Sequence, residues 1–139
     1  MAGLIIDSSF FVALTVAEEY SAFAEETVAS LASADFEAPA LIVWEVANVL
    51  EKKVRQRQLS NEDRLIMLGR FDELPILLHA APDAEHLRRL AGLCDQHKLS
   101  AYDAAYLGLA LNGGSALATL DRRLTHAARA EGVTVHSPF

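Results

Sequence analysis

The sequence predicts an α/β layer fold with a mainly parallel sheet of four or five strands, in a single domain spanning residues 1–139. Three observations predict it. Apolar runs of three to five residues, too short for helices, alternate with longer stretches of helical periodicity, sometimes two helices between strands. Proline, glycine and Ser/Asp signals mark the boundaries between them. The chain has 139 residues of which 52% are hydrophobic, enough apolar material for one core, and it shows no repeat or low-complexity linker.

Taken in order, Leu4-Ile5-Ile6 is a short strand that ends at Asp7-Ser8-Ser9, a helix N-cap signal, and residues 10–15 form a helix. A second helix covers 21–33, and a weak strand over 36–38 stops at Pro39. Residues 41–57 carry apolar side chains at Val43, Ala47, Leu50 and Val54, a helical stripe. Ser60-Asn61-Glu62-Asp63 opens a helix that runs to about residue 74 and is halted by Pro75. A strand over 76–80, a helix over 84–98 and a helix over 101–112, closed by Gly113-Gly114, come next. The helix over 101–112 is so apolar that it is expected to be buried nearly all round. A strand over 116–120, a helix over 121–131 and a last strand over 133–135 complete the pattern.

Composition removes several classes of function. The longest apolar run falls far short of the roughly 20 residues a membrane span needs, and Asp7 interrupts the N-terminal apolar run in a way no secretory signal does. One cysteine, Cys94, excludes an internal disulfide and a Cys-rich zinc site, so a cytoplasmic location is expected. A net charge of −7 argues against a general nucleic-acid coat, which depends on many phosphate-neutralising cations. It leaves room for local basic strips, Lys52 to Arg57 and Arg122-Arg123, and for a nuclease that meets phosphate through bound metal.

Two carboxylates lie at strand ends, where ligands of open α/β sheets gather: Asp7 after the first strand and Asp121 after the fourth. Each also suits a helix N-cap. Asp103 completes a Ser-x-x-Asp capping box with Ser100, and Glu45 follows Trp44 beside the apolar stripe of its helix. Acids at the edges of apolar helices, near acids at strand ends, suggest a cluster. Clustered carboxylates repel and are costly to desolvate unless cations are present, and an all-oxygen donor set suits Mg2+ or Mn2+.

Asp7-Ser8-Ser9 after the first strand, Trp44-Glu45-Val46-Ala47-Asn48-Val49-Leu50, Leu99-Ser100-Ala101-Tyr102-Asp103-Ala104-Ala105-Tyr106 and Thr119-Leu120-Asp121-Arg122-Arg123-Leu124, in that order, resemble the PIN-domain ribonucleases. More narrowly, they resemble the VapC-type toxins of toxin–antitoxin pairs. The resemblance implies five parallel strands in the order 3-2-1-4-5, which brings Asp7 beside Asp121. It implies that Asp7, Glu45, Asp103 and Asp121 are catalytic and hold one or two Mg2+ or Mn2+ ions for hydrolysis of RNA phosphodiester bonds. Ser9, Thr119 and Asn48 fall where such enzymes orient a carboxylate or water, and Arg122 and Arg123 are candidates for contact with RNA. The resemblance further implies a homodimer, neutralised in a hetero-oligomer by a cognate VapB-type antitoxin, with DNA bound only through that antitoxin. Trp44, Phe10 and Phe11 are expected in the core or at a subunit contact. The five histidines are expected at the surface or boundary, with no catalytic role.

Two rivals remain from other classes. A receiver-like regulatory domain would need an acceptor acid in place of Leu78-His79-Ala80 and a lysine near its last strand, and no lysine follows Lys98. A non-catalytic α/β binding module would use the same acids only as helix caps.

Overall fold

A computed structural model describes residues 3–139. In chain order the elements are β1 (Leu4–Ile6), α1 (Ser8–Thr15), α2 (Ser21–Ser30), β2 (Phe36–Pro39), α3 (Leu41–Arg55), α4 (Asn61–Leu68), α5 (Arg70–Glu73), β3 (Ile76–His79), α6 (Ala84–His97), α7 (Ala101–Gly113), β4 (Ala116–Ala118), α8 (Arg122–Ala130) and β5 (Val135–His136). The five strands form one parallel sheet in the order β3-β2-β1-β4-β5, as expected.

The central strand β1 is buried along its whole length, which is why it reads Leu-Ile-Ile with no polar alternation. It pairs with β2 on one side, Leu4 opposite Phe36, and with β4 on the other, Ile6 opposite Ala118. Sequence order reverses at β1, so the chain diverges beyond the ends of β1 and β4 and leaves an opening there. The core joins β1 to Phe10 and Phe11 of α1, to Ile42, Val46 and Leu50 of α3, to Tyr106 and Leu107 of α7, and to Leu124 of α8.

The structure corrects four expectations. The buried row of α3 is Ile42, Val46 and Leu50, one residue out of phase with the expected stripe through Val43, Ala47 and Val54. Nearly every position from 41 to 50 is apolar, so periodicity alone offers more than one row, and docking against α1 selects between them. Trp44 consequently points outward, 78% exposed, which removes the core from its two expected placements and leaves the subunit contact. The helix expected over 61–74 is interrupted at Gly69, a poor helix former, into α4 and α5. α2 ends at Ser30, whose hydroxyl bonds back to the Thr27 carbonyl at 2.9 Å and competes with helix continuation.

The last correction concerns α7. It buries Ala104, Tyr106, Leu107 and Ala110 but leaves Tyr102 and Leu111 exposed, so it is not buried all round. Its contact with α6 is close because Gly108 has no side chain: a Cβ there would sit 2.8 Å from Leu90. Gly114, at φ +62°, closes the helix in the left-handed conformation that glycine adopts without strain.

Candidate active site

Asp7 follows the last residue of β1, and its backbone N–H donates to the Ala118 carbonyl of β4 at 3.2 Å. That bond carries strand pairing one residue past β1 and brings the ends of the two strands together. The side chain is 5% exposed and accepts three hydrogen bonds. The Phe10 N–H (2.9 Å) and the Ser9 hydroxyl (2.6 Å) donate to Oδ1, and the Thr119 hydroxyl donates to Oδ2. The Ser9 oxygen in turn accepts from the Leu120 N–H at 3.0 Å, and Thr119 Oγ1 accepts from the Asp121 N–H at 3.0 Å. Two hydroxyls thus tie the β1–α1 turn to the β4–α8 turn.

Asp121 caps α8 by accepting the Leu124 N–H at 2.7 Å, and Asp7 caps α1 through Phe10. Ser100 caps α7 by accepting the Asp103 N–H at 3.1 Å, which sets Asp103 in the first turn of that helix. The capping reading and the cluster reading are therefore both true of these acids. A carboxylate has two oxygens with several lone pairs, so capping by one leaves acceptor capacity for a second task.

Electrostatics links the four acids in a chain. Burial pushes Asp7 up from the ordinary carboxylate value to about 6; its three hydrogen bonds pull the other way, and the charge of Asp121 adds to the rise. Burial also raises Asp103, followed by the charge of Asp121, with Ser100 and the Arg123 cation opposing. Glu45 is raised by burial first and then by the charge of Asp103, while a hydrogen bond from Tyr106 and the nearby Ser8 hydroxyl favour its ionised form. The sequence Asp7, Asp121, Asp103, Glu45 is thus one of acids that feel each other's charge. Among the described residues, no Lys, Arg or His forms an ion pair with any of the four.

Other candidate residues fall differently. Asn48, one turn beyond Glu45, is exposed on α3. Arg123 lies in the field of Asp103 and its guanidinium reaches the Lys98 carbonyl at 3.4 Å, whereas Arg122 lies over the Phe139 ring at 3.8 Å. In the strip from Lys52 to Arg57, Arg55 pairs with Glu51 at 2.9 Å on the solvent side of α3. Phe10 and Phe11 are in the core as expected. Two residues of the site went unassigned in the sequence. Ser8 lies beside Glu45, and Tyr106, 1% exposed, donates its hydroxyl to Glu45 Oε1 at 2.5 Å. A lone tyrosine in an Ala/Leu helix was the available signal, because a buried phenol requires a hydrogen-bond partner.

The donors are all oxygens, mostly carboxylate, and suit a hard divalent ion. Among the described residues, no group of three or more acidic, His or Cys side chains is set closely enough to hold an ion unaided. A cavity of about 980 Å3 lies elsewhere, between α6, α7 and the β2–β3 edge, and none of the four acids lines it.

A parallel 3-2-1-4-5 sheet with carboxylates at the ends of β1 and β4 defines a class of fold, and family comparison gives it a name. The chain belongs to the PIN-domain family, whose model matches residues 4–130. Within that family it is of the VapC type. It is 36% identical over 121 residues to Ribonuclease VapC3 of Pyrobaculum aerophilum, an alignment covering 87% of this chain and 91% of the relative. Its fold is similar to that of Mycobacterium tuberculosis VapC20, a sarcin-ricin loop cleaving toxin, with a TM-score of 0.70 and 13% identity over 90% of this chain and 95% of the other. It is equally similar to a chain of VapBC2 from Rickettsia felis bound to a promoter DNA fragment, with a TM-score of 0.70 and 12% identity over 96% and 97% of the two chains.

Proposed function

We propose that this chain is the metal-dependent endoribonuclease toxin of a type II toxin–antitoxin pair, with Asp7, Glu45, Asp103 and Asp121 as its catalytic metal ligands. The observation that carries the reading is the chain of like charges from Asp7 and Asp121, after β1 and β4, through Asp103 of α7 to Glu45 of α3, in a chain related to a VapC ribonuclease. One or two Mg2+ or Mn2+ ions held there supply an activated water and offset the charge of the scissile phosphate. Ser9 and Thr119 fix the rotamer of Asp7 by donating to its two oxygens, and Thr119 couples that rotamer to the backbone of Asp121. Asn48, exposed on α3 one turn beyond Glu45, orients a water at the rim of the site. Arg123, in the field of Asp103, is the better placed of the two arginines to meet an RNA phosphate, since Arg122 is engaged by Phe139.

The protein acts as a homodimer and is neutralised in a complex with a VapB-type antitoxin, through which alone it contacts DNA. A basic segment of that antitoxin would find in the acid cluster a partner for bidentate guanidinium pairing. Among the described residues, no helix is long and apolar enough to cross a membrane.

The test is cleavage of single-stranded or loop RNA by the antitoxin-free protein. Cleavage is expected with Mg2+ or Mn2+ and lost in EDTA, and Asp7→Asn, Glu45→Gln, Asp103→Asn and Asp121→Asn each remove most of it while remaining folded. Robust cleavage in EDTA, or full activity in two of the variants, overturns the reading.

A further inference from the structure

We propose that Tyr106 is a positioning residue for Glu45: its buried hydroxyl holds that carboxylate turned inward, with one oxygen bound and the other presented to the metal. The inference rests on the metal-site reading above and concerns how one ligand is held in place.

Glu45 projects from the middle of α3, with Trp44 beside it 78% exposed, so solvent is within easy reach of a long, flexible side chain. Its neighbour Asp103 carries like charge, and repulsion favours an outward rotamer whenever no cation lies between the two. Tyr106 opposes that escape. It stands three residues after Asp103 on α7, on the same face one turn along, and its ring is 1% exposed in the core. The ring is therefore rigid, and its hydroxyl meets Glu45 Oε1 at 2.5 Å across 61 residues of sequence. Packing alone does not call for this hydroxyl, since phenylalanine would fill the same core. The bond occupies Glu45 Oε1, so Oε2 is the oxygen that a monodentate ligand would offer. The Ser8 hydroxyl lies beside the same pair, so the anchor draws α1, α3 and α7 together at one point.

Outer partners of metal ligands typically contribute about 10- to 100-fold in metal affinity or activity. The experiment compares wild type, Tyr106→Phe and Glu45→Gln, all antitoxin-free, and titrates Mn2+ while free Mn2+ is followed by electron paramagnetic resonance. RNA cleavage is measured in parallel as a function of Mn2+, and metal-free Tm reports folding. Tyr106→Phe is expected to keep its fold, to weaken Mn2+ binding by about tenfold or more, and to regain much of its cleavage at high Mn2+. Wild-type Mn2+ affinity in Tyr106→Phe, with affinity lost in Glu45→Gln, overturns the positioning role and leaves the metal site standing. Unchanged affinity in Glu45→Gln overturns the assignment of Glu45 as a ligand and this proposal with it. Should Tyr106→Phe fail to fold, Tyr106→Met decides the matter, because it fills the core without a hydroxyl and leaves Glu45 unchanged. A loss of Mn2+ affinity there supports the anchor, and wild-type affinity overturns it.

Discussion

At the scale of single residues, the protein stores an unfavourable charge. Asp7 is buried with its pKa raised to about 6, whereas an unfolded chain would titrate it near 4. Stability from the protonated form is therefore fully present below about pH 4 and is lost as pH rises through about 6. The shift corresponds to roughly 3 kcal/mol at neutral pH, as an upper figure. Asp7→Asn retains an acceptor for the Phe10 N–H and removes the charge, so the metal-free variant is expected to unfold at higher temperature than wild type at pH 7. The two should converge toward pH 4, and parallel stability curves between pH 4 and 8 would contradict the burial argument. Thr119→Val should act on the same charge from the other side. It removes the donor to Asp7 Oδ2 and the acceptor of the Asp121 N–H together, for a loss of about 1–3 kcal/mol in a urea unfolding titration. Of these details, the acidity of positions 7, 45, 103 and 121 was legible in the sequence, as was a hydroxyl role for Ser9 and Thr119. The contact of Tyr106 with Glu45 was not, because a hydrogen bond across 61 residues has no local signature.

At the scale of elements, capping and periodicity were well expressed in the chain. The N-caps Asp7, Ser60, Asp83, Ser100 and Asp121 each accept a backbone N–H three residues on. What local pattern could not resolve was which face of α3 turns inward. The phase now has a measurable consequence. Ile42→Ala, in the buried row, should cost about 2–5 kcal/mol in urea unfolding, whereas Val54→Ala, in the row expected from periodicity, should cost under about 1 kcal/mol. Equal losses would mean that both rows are packed. The same rotation explains the placement of the site. With Val46 pointing into the core, Glu45 stands at the boundary beside α7. Tertiary packing thus decided the placement of a candidate site residue that the helical pattern left open.

At the scale of the whole molecule, strand order does what no segment can do alone. Pairing β1 with β4 places the turns after both strands side by side, and α3 and α7 add their acids from the flanking layer. A divalent ion that binds this arrangement and not the unfolded chain should stabilise it by about 1.4 kcal/mol at ten times its Kd, a few degrees in Tm. Wild type should show that shift with Mg2+, and the double variant Asp7→Asn/Asp121→Asn should not; equal shifts would place the ion elsewhere. The chain's net charge of −7 bears on its partner. Binding of a basic peptide from the cognate antitoxin should weaken steeply between low and physiological salt, and should be weaker still in the same double variant. Salt-independent binding would point to an apolar interface.

The tie between the Thr119 hydroxyl and Asp7 spans 112 residues, and this has a consequence for the newborn chain. At synthesis rates of about 5–20 residues per second, roughly 6 to 20 s separate the emergence of the first acid from that of its tethering partner. For all of that time the polypeptide is attached to a ribosome, the densest RNA surface in a cell. β4 has yet to be made, so β1 has no neighbour on that side, and Asp7 and Asp121 cannot meet. Chains arrested before residue 119 should therefore show no metal-dependent RNA cleavage, whereas the released protein should. Because β4 follows β1 so late in the chain, the two turns cannot be brought together before residue 119 has been made.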